Sequence, residues 1–162
     1  MSHSMEMSDQ IVSTARLLTQ AGNVVLSEFG ITMGTYEVIL LISKGNDTTT
    51  KLGNATKSTL ANITHKTKAL EKEGFIERSI GDRDKRVWTF ALTTKGKKFL
   101  GSVQRYYGEA LDRLFSQFSE DQTATALDVI ATTRQHLEAL IQDEGVLAAY
   151  AKDLAQKGKG KS

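Results

Sequence analysis

The sequence has no cysteine and no proline. Without cysteine there is no disulfide framework, no thiolate zinc site and no thiol redox switch. That composition fits a reducing cytoplasm. The lack of proline suits a helix-rich chain, because proline interrupts helices. No apolar run approaches the roughly 18 residues needed to span a bilayer. The N-terminal stretch "MSHSMEMSDQ" lacks the apolar segment of a secretory signal. Met5 or Met7 offers a natural start, so residues 1–8 read as an unstructured leader or cloning remnant.

Signatures of catalysis are missing as well. There is no P-loop, no GxSxG, no HExxH and no cysteine nucleophile. The carboxylates of Glu71 and Glu73 sit two apart on an expected helix, where they do not face each other. His65 could be joined only by His3 and His136, both remote in sequence, and no spacing matches a zinc site. The expectation is a non-enzyme with no cofactor, no metal and no membrane segment.

What is present is a chain of 162 residues, enough for one ordinary domain with a real core, at 40% hydrophobic and 25% charged. Its charge is unevenly spread. Residues 44–98 hold thirteen Lys/Arg against six Asp/Glu, a net of +7. The remainder, with eight basic and thirteen acidic residues, is −5. A basic middle in an acidic frame points to a polyanion-binding segment on a scaffold, against the plainer reading of solvated charges clustered by chance.

Ile11, Ala15, Leu18 and Val25, with Phe29 just beyond, recur at helical spacing and predict a helix over residues 9–28. Thr35 is the expected cap of a second helix that buries Val38, Ile39, Leu41 and Ile42 and ends at Gly45. A short extended piece should follow, then a short helix over 51–56 and a stronger one over 57–73 ended by Gly74. "FIERSI" and "VWTFAL" read as a β-hairpin around a charged tip, with Trp88, Phe90 and Leu92 turned to the core. Helical period then returns from Phe99 to Phe118. Ser119 and Gln122 form a capping box for a further helix, and a weaker helix over 146–155 precedes a flexible basic tail.

The expected fold class is mainly α (α+β): a winged helix-turn-helix with a long-helix dimerisation region. Its lobe spans residues 35–94. The outer helices, 9–34 and 95–145, would expose large apolar faces on a monomer, so they are expected to pair two chains. Residues 146–162 complete the chain as a short helix and tail.

Projected at about 100° per residue, the helix over 57–73 turns Leu60, Ile63, Thr67 and Leu70 inward. Outward lie Ser58, Ala61, Asn62, His65, Lys68 and Lys72. Ala61 allows close approach and suits a thymine methyl; Asn62 suits adenine. Ser58, Thr59 and Lys68 suit phosphates, aided by the helix N-terminus. An ordinary polar solvent face is the competing reading of this helix alone, and a plain surface residue is the competing reading of His65. In the hairpin tip, Arg83 and Lys85 read as phosphate contacts.

Two blocks make these features specific. "LEKEGFIER" (residues 70–78) and "DKRVWTFALTTKG" (residues 84–96) resemble blocks of the MarR family of bacterial winged-helix transcriptional regulators. The resemblance runs over about residues 9–143. It implies double-stranded DNA binding by a homodimer at a palindromic operator, with the helix in the major groove and the wing in the minor groove. It further implies that Arg86 is the minor-groove residue and that Asp84 orients the wing's basic side chains. Family members often release DNA when a small aromatic or anionic molecule binds, so control by such an effector, whether it releases or strengthens DNA binding, is the default regulation, with lining expected from the first helix, Tyr36 and the start of the long helix. Gly53, Thr56 and Ser58 depart from the family pattern in the short helix and turn. A winged-helix protein-interaction module that does not read DNA is the alternative.

Overall fold

The computed structural model describes residues 2–80 and 87–159. Two compact units divide the chain, residues 1–113 and 114–162.

The first unit opens with α1 (His3–Ser27). The helix therefore starts inside the segment expected to be an unstructured leader. Ser2 provides the reason: its hydroxyl accepts from the Met5 amide, and Glu6 lies in the first turn, where the helix dipole favours an acid. The buried positions of α1 are Gly22 and Leu26, while Ile11 is exposed. Helix α2 (Met33–Ser43) is capped by Thr32, not Thr35; the Thr32 hydroxyl accepts from the Thr35 amide and also bonds the Thr35 hydroxyl at 3.0 Å. Threonine at both positions disguised the true cap.

Next come α3 (Thr49–Thr56) and α4 (Leu60–Lys72). Glycine at position 74 is required: its φ is +72°, and the amides of Gly74 and Phe75 return to the carbonyls of Glu71 and Leu70, closing the helix end. The chain then enters β1 (Ile76–Ile80) and β2 (Trp88–Leu92), an antiparallel pair with Ile76 opposite Leu92, Arg78 opposite Phe90 and Ile80 opposite Trp88. The short extended piece before α3 is present as a bridge between Thr48 and Thr89, and the Phe90 amide donates to the Asp47 carbonyl at 2.7 Å.

Helix α5 (Thr94–Phe115) begins at the "LTTKG" block. The Thr93 hydroxyl accepts from the Gly96 amide at 3.0 Å and donates to the Gly74 carbonyl at 2.7 Å. It thereby joins the start of α5 to the end of α4. Gly96 is there for space: a Cβ on it would lie 1.9 Å from the Phe75 carbonyl oxygen. Above this contact the Phe75 and Phe99 rings stack at 4.0 Å, and Phe29 meets Phe99 and Tyr106 edge-on.

The core of this unit gathers a few residues from each element: Val38, Ile39 and Ile42 of α2, Leu52 of α3, Ile63 and Leu70 of α4, Ile76, Phe90 and Leu100. Trp88, expected beside Phe90, is instead 48% exposed. It lies on the same strand face but two residues farther out, past the edge of the core.

The second unit holds α6 (Glu120–Gln142) and α7 (Glu144–Lys159). The capping box at the head of α6 is formed as expected: Ser119 accepts from the Gln122 amide, and the Gln122 side chain accepts from the Ser119 amide at 2.9 Å. No described residue of α6 is buried, and Leu127, Ile130, Leu137 and Ile141 are all exposed along one stripe. Helix α7 runs longer than the expected residues 146–155. Among the described residues, no helix is long and apolar enough to cross a membrane.

Candidate nucleic-acid interface

Helices α3 and α4 form a helix-turn-helix. Leu52 of α3 and Ile63, Thr67 and Leu70 of α4 are buried against α2, which fixes α4 on the outside of the lobe. Between the helices Lys57 adopts a left-handed conformation, φ 52°, and its amide bonds the Gly53 carbonyl. Gly53 is itself buried; a Cβ there would lie 3.2 Å from the Ser58 carbonyl oxygen and 3.3 Å from a Leu60 methyl. Gly53, which departs from the family pattern, thus fits the tightness of this turn.

The turn changes two expectations. Helix α4 begins at Leu60, so Ser58 lies in the turn rather than on the helix, its hydroxyl facing the Thr56 carbonyl at 3.5 Å. Thr59 is the cap, its hydroxyl accepting from the Asn62 amide at 3.3 Å. Leu60 is not inward either, but 55% exposed, because the first residue of α4 projects beyond the packed part of the lobe. The remaining reading of the helix holds. Ala61, Asn62, His65 and Lys68 are exposed, and Ile63, Thr67 and Leu70 are buried. Ala61, His65 and Lys68 fall within about 60° of one another at 100° per residue. They present a small residue, an imidazole and an ammonium group on one line, with Asn62 at its shoulder.

Arg83, Asp84, Lys85 and Arg86 lie outside the described residues. The strands on either side of that segment, β1 and β2, are described. At their root the Ser79 and Thr89 hydroxyls pair at 3.0 Å. On the other face Arg78 Nε lies 3.0 Å from Glu71 Oε1 of α4, with its guanidinium 4.7 Å from the centre of the Trp88 ring. Sequence reading did not assign Arg78 this position; its Glu71 and Trp88 partners are seven and ten residues away on other elements.

Electrostatics elsewhere in the lobe are modest. The Lys51 ammonium bonds Asp47 Oδ1 at 2.7 Å, and that hydrogen bond holds the Asp47 carboxyl below its usual range. Burial pushes the Tyr36 and Tyr107 phenols up; the two rings meet edge-on at 5.7 Å. A cleft of about 610 Å³ lies beneath the wing root, lined by Ile42, Asp47, Phe90, Leu92, Lys97 and Leu100 among others. It shares the start of α5 with the expected effector site, but neither α1 nor Tyr36. Among the described residues no three His, Asp or Glu side chains gather to hold a metal.

Three helices packed on one core, the last with an outward polar face, and a two-stranded hairpin behind them define a winged helix-turn-helix. Comparison with known proteins agrees. The sequence profile of the MarR family matches residues 31–88. It is 32% identical to the transcriptional repressor MprA of Escherichia coli K12 over 101 residues, 62% of this chain and 57% of that protein. The match thus spans little more than half the length of that relative. Among solved structures, AbsC, a MarR family transcriptional regulator from Streptomyces coelicolor, superposes with a TM-score of 0.74 at 20% identity, over 86% of this chain and 97% of that one. A cysteine-to-serine mutant of MarR from E. coli, complexed with operator DNA, superposes with a TM-score of 0.71 at 22% identity, over 79% and 93%.

Proposed function

We propose that the protein is a homodimeric, sequence-specific, double-stranded DNA-binding transcriptional regulator of the cytoplasm, acting as a repressor. The observation that carries this reading is the outer face of α4, where Ala61, Asn62, His65 and Lys68 stand free of the core that holds the opposite face. Such a face fits the major groove: Asn62 suits adenine, Ala61 a thymine methyl, and Lys68, Ser58 and Thr59 the phosphates beside them. The wing strands extend from the same lobe, and on this reading Arg86, between them in sequence, enters the minor groove, with Arg83 and Lys85 on phosphates and Asp84 orienting the wing's basic side chains.

Residues 9–34 and 95–145 serve as the dimerisation region. The exposed apolar stripe on α6 supports that role. A two-fold axis then demands a palindromic operator with half-sites about one helical turn apart. Control of DNA binding by a small aromatic or anionic effector completes the scheme.

Selection of bound duplexes from a random pool by the purified protein tests the reading. The expected product is an enriched palindrome bound by two chains. Failure to enrich any palindrome would instead favour a winged-helix module that binds proteins.

A further inference from the structure

Arg78 stands where the recognition helix, the first wing strand and the second wing strand meet. Its Nε reaches Glu71 Oε1 in the last turns of α4 at 3.0 Å, and its guanidinium covers the Trp88 ring at 4.7 Å. The register explains how one side chain does both. Arg78 is paired with Phe90, so Trp88 is its diagonal neighbour on the same sheet face, within reach of a long side chain. Phe90 at that face is buried in the core, whereas Trp88 is half-exposed beyond it. Among the described residues, the outer part of the wing is therefore attached to α4 by this guanidinium rather than by core packing.

We propose that Arg78 is a positioning residue: it clasps the wing to the recognition helix and sets the spacing between the two DNA-reading elements. The proposal rests on the DNA-binding reading above. A planar guanidinium has a flat face for an aromatic ring and an edge for a carboxylate, so it holds both at fixed relative orientation. A wing that can swing loses the orientation its tip needs in the adjacent groove. The pair itself is substantially exposed, 47% for Arg78 and 34% for Glu71, so it contributes little to folding stability. Truncation should therefore loosen the wing without unfolding the lobe.

Trp88 is the sole tryptophan of the chain and lies in the clasp, so it reports on it directly. In the free protein, Arg78→Ala should increase quenching of Trp88 fluorescence by iodide and leave the melting temperature nearly unchanged. Glu71→Gln, which keeps the side-chain shape, should do the same to a lesser degree. DNA affinity is then measured on a palindromic duplex selected by the wild-type protein, for Arg78→Ala, Arg86→Ala and the double variant. If Arg78 acts through the wing, the two losses do not multiply; the double variant binds at least about threefold tighter than their product. In contrast, Arg78→Ala and Asn62→Ala should multiply.

Unchanged quenching in Arg78→Ala overturns the clasp, and fully multiplicative losses for Arg78 and Arg86 overturn its positioning role while leaving the DNA reading intact. An Arg86→Ala variant that binds as tightly as wild type contradicts the wing's role in DNA binding and takes the proposal with it.

Discussion

Thr93 and Gly96 tie the start of α5 to the end of α4. Thr93 uses one hydroxyl to cap α5 and to bond the end of α4. Gly96 lets the helix approach the Phe75 backbone, where any Cβ would collide at 1.9 Å. Gly96→Ala should therefore destabilise the protein by about 1–3 kcal/mol, the range for forced overpacking; calorimetric melting checks it, and an unchanged melting temperature would contradict the contact. At this scale the sequence was only partly readable. Helical period from Phe99 onward marked this helix, but the reason for Gly96 depends on the Phe75 backbone, in the turn after α4. Likewise Leu60 has the helical phase of a core residue, and only its place at the very start of α4 leaves it exposed. Trp88 has the strand parity of the core face, and only the limited depth of the core leaves it outside.

Among the elements, the lobe followed closely from periodicity and punctuation. Gly45 and Gly74 end α2 and α4 as expected, and the hairpin occupies the two β-prone runs. Helix starts were harder, because several threonines compete as caps: Thr32 prevails over Thr35, and Thr59 is itself the cap of α4. Those caps move Ser58 into the turn and leave Ala61, Asn62, His65 and Lys68 as the helical candidates. The wing's contribution can be isolated electrostatically. Arg86→Ala should weaken DNA binding and reduce the slope of log affinity against log salt by about one for each wing engaged. Titrations at several salt concentrations measure it; identical slopes and affinities would remove Arg86 from the interface.

For the whole molecule, the unbalanced feature is apolar surface. Helix α6 buries none of its described residues, yet Leu127, Ile130, Leu137 and Ile141 recur along one side of it. If that stripe pairs two chains, replacing both Leu127 and Ile130 with Glu should convert the dimer to monomer. Sedimentation equilibrium decides this, since a doubled mass retained in the variant would place the interface elsewhere. Loss of the dimer should also abolish preference for a palindrome over an isolated half-site, because the two-fold axis is what couples the two recognition helices.

Base reading by the outer face of α4 is the claim on which the function rests. The most direct measurement is the selected-site profile of wild type beside those of Asn62→Ala and His65→Ala, obtained from the same random pool. An enriched palindrome is expected for wild type, and for each variant relaxed preference at particular positions, symmetric in the two half-sites. Profiles identical to wild type in both variants would contradict it.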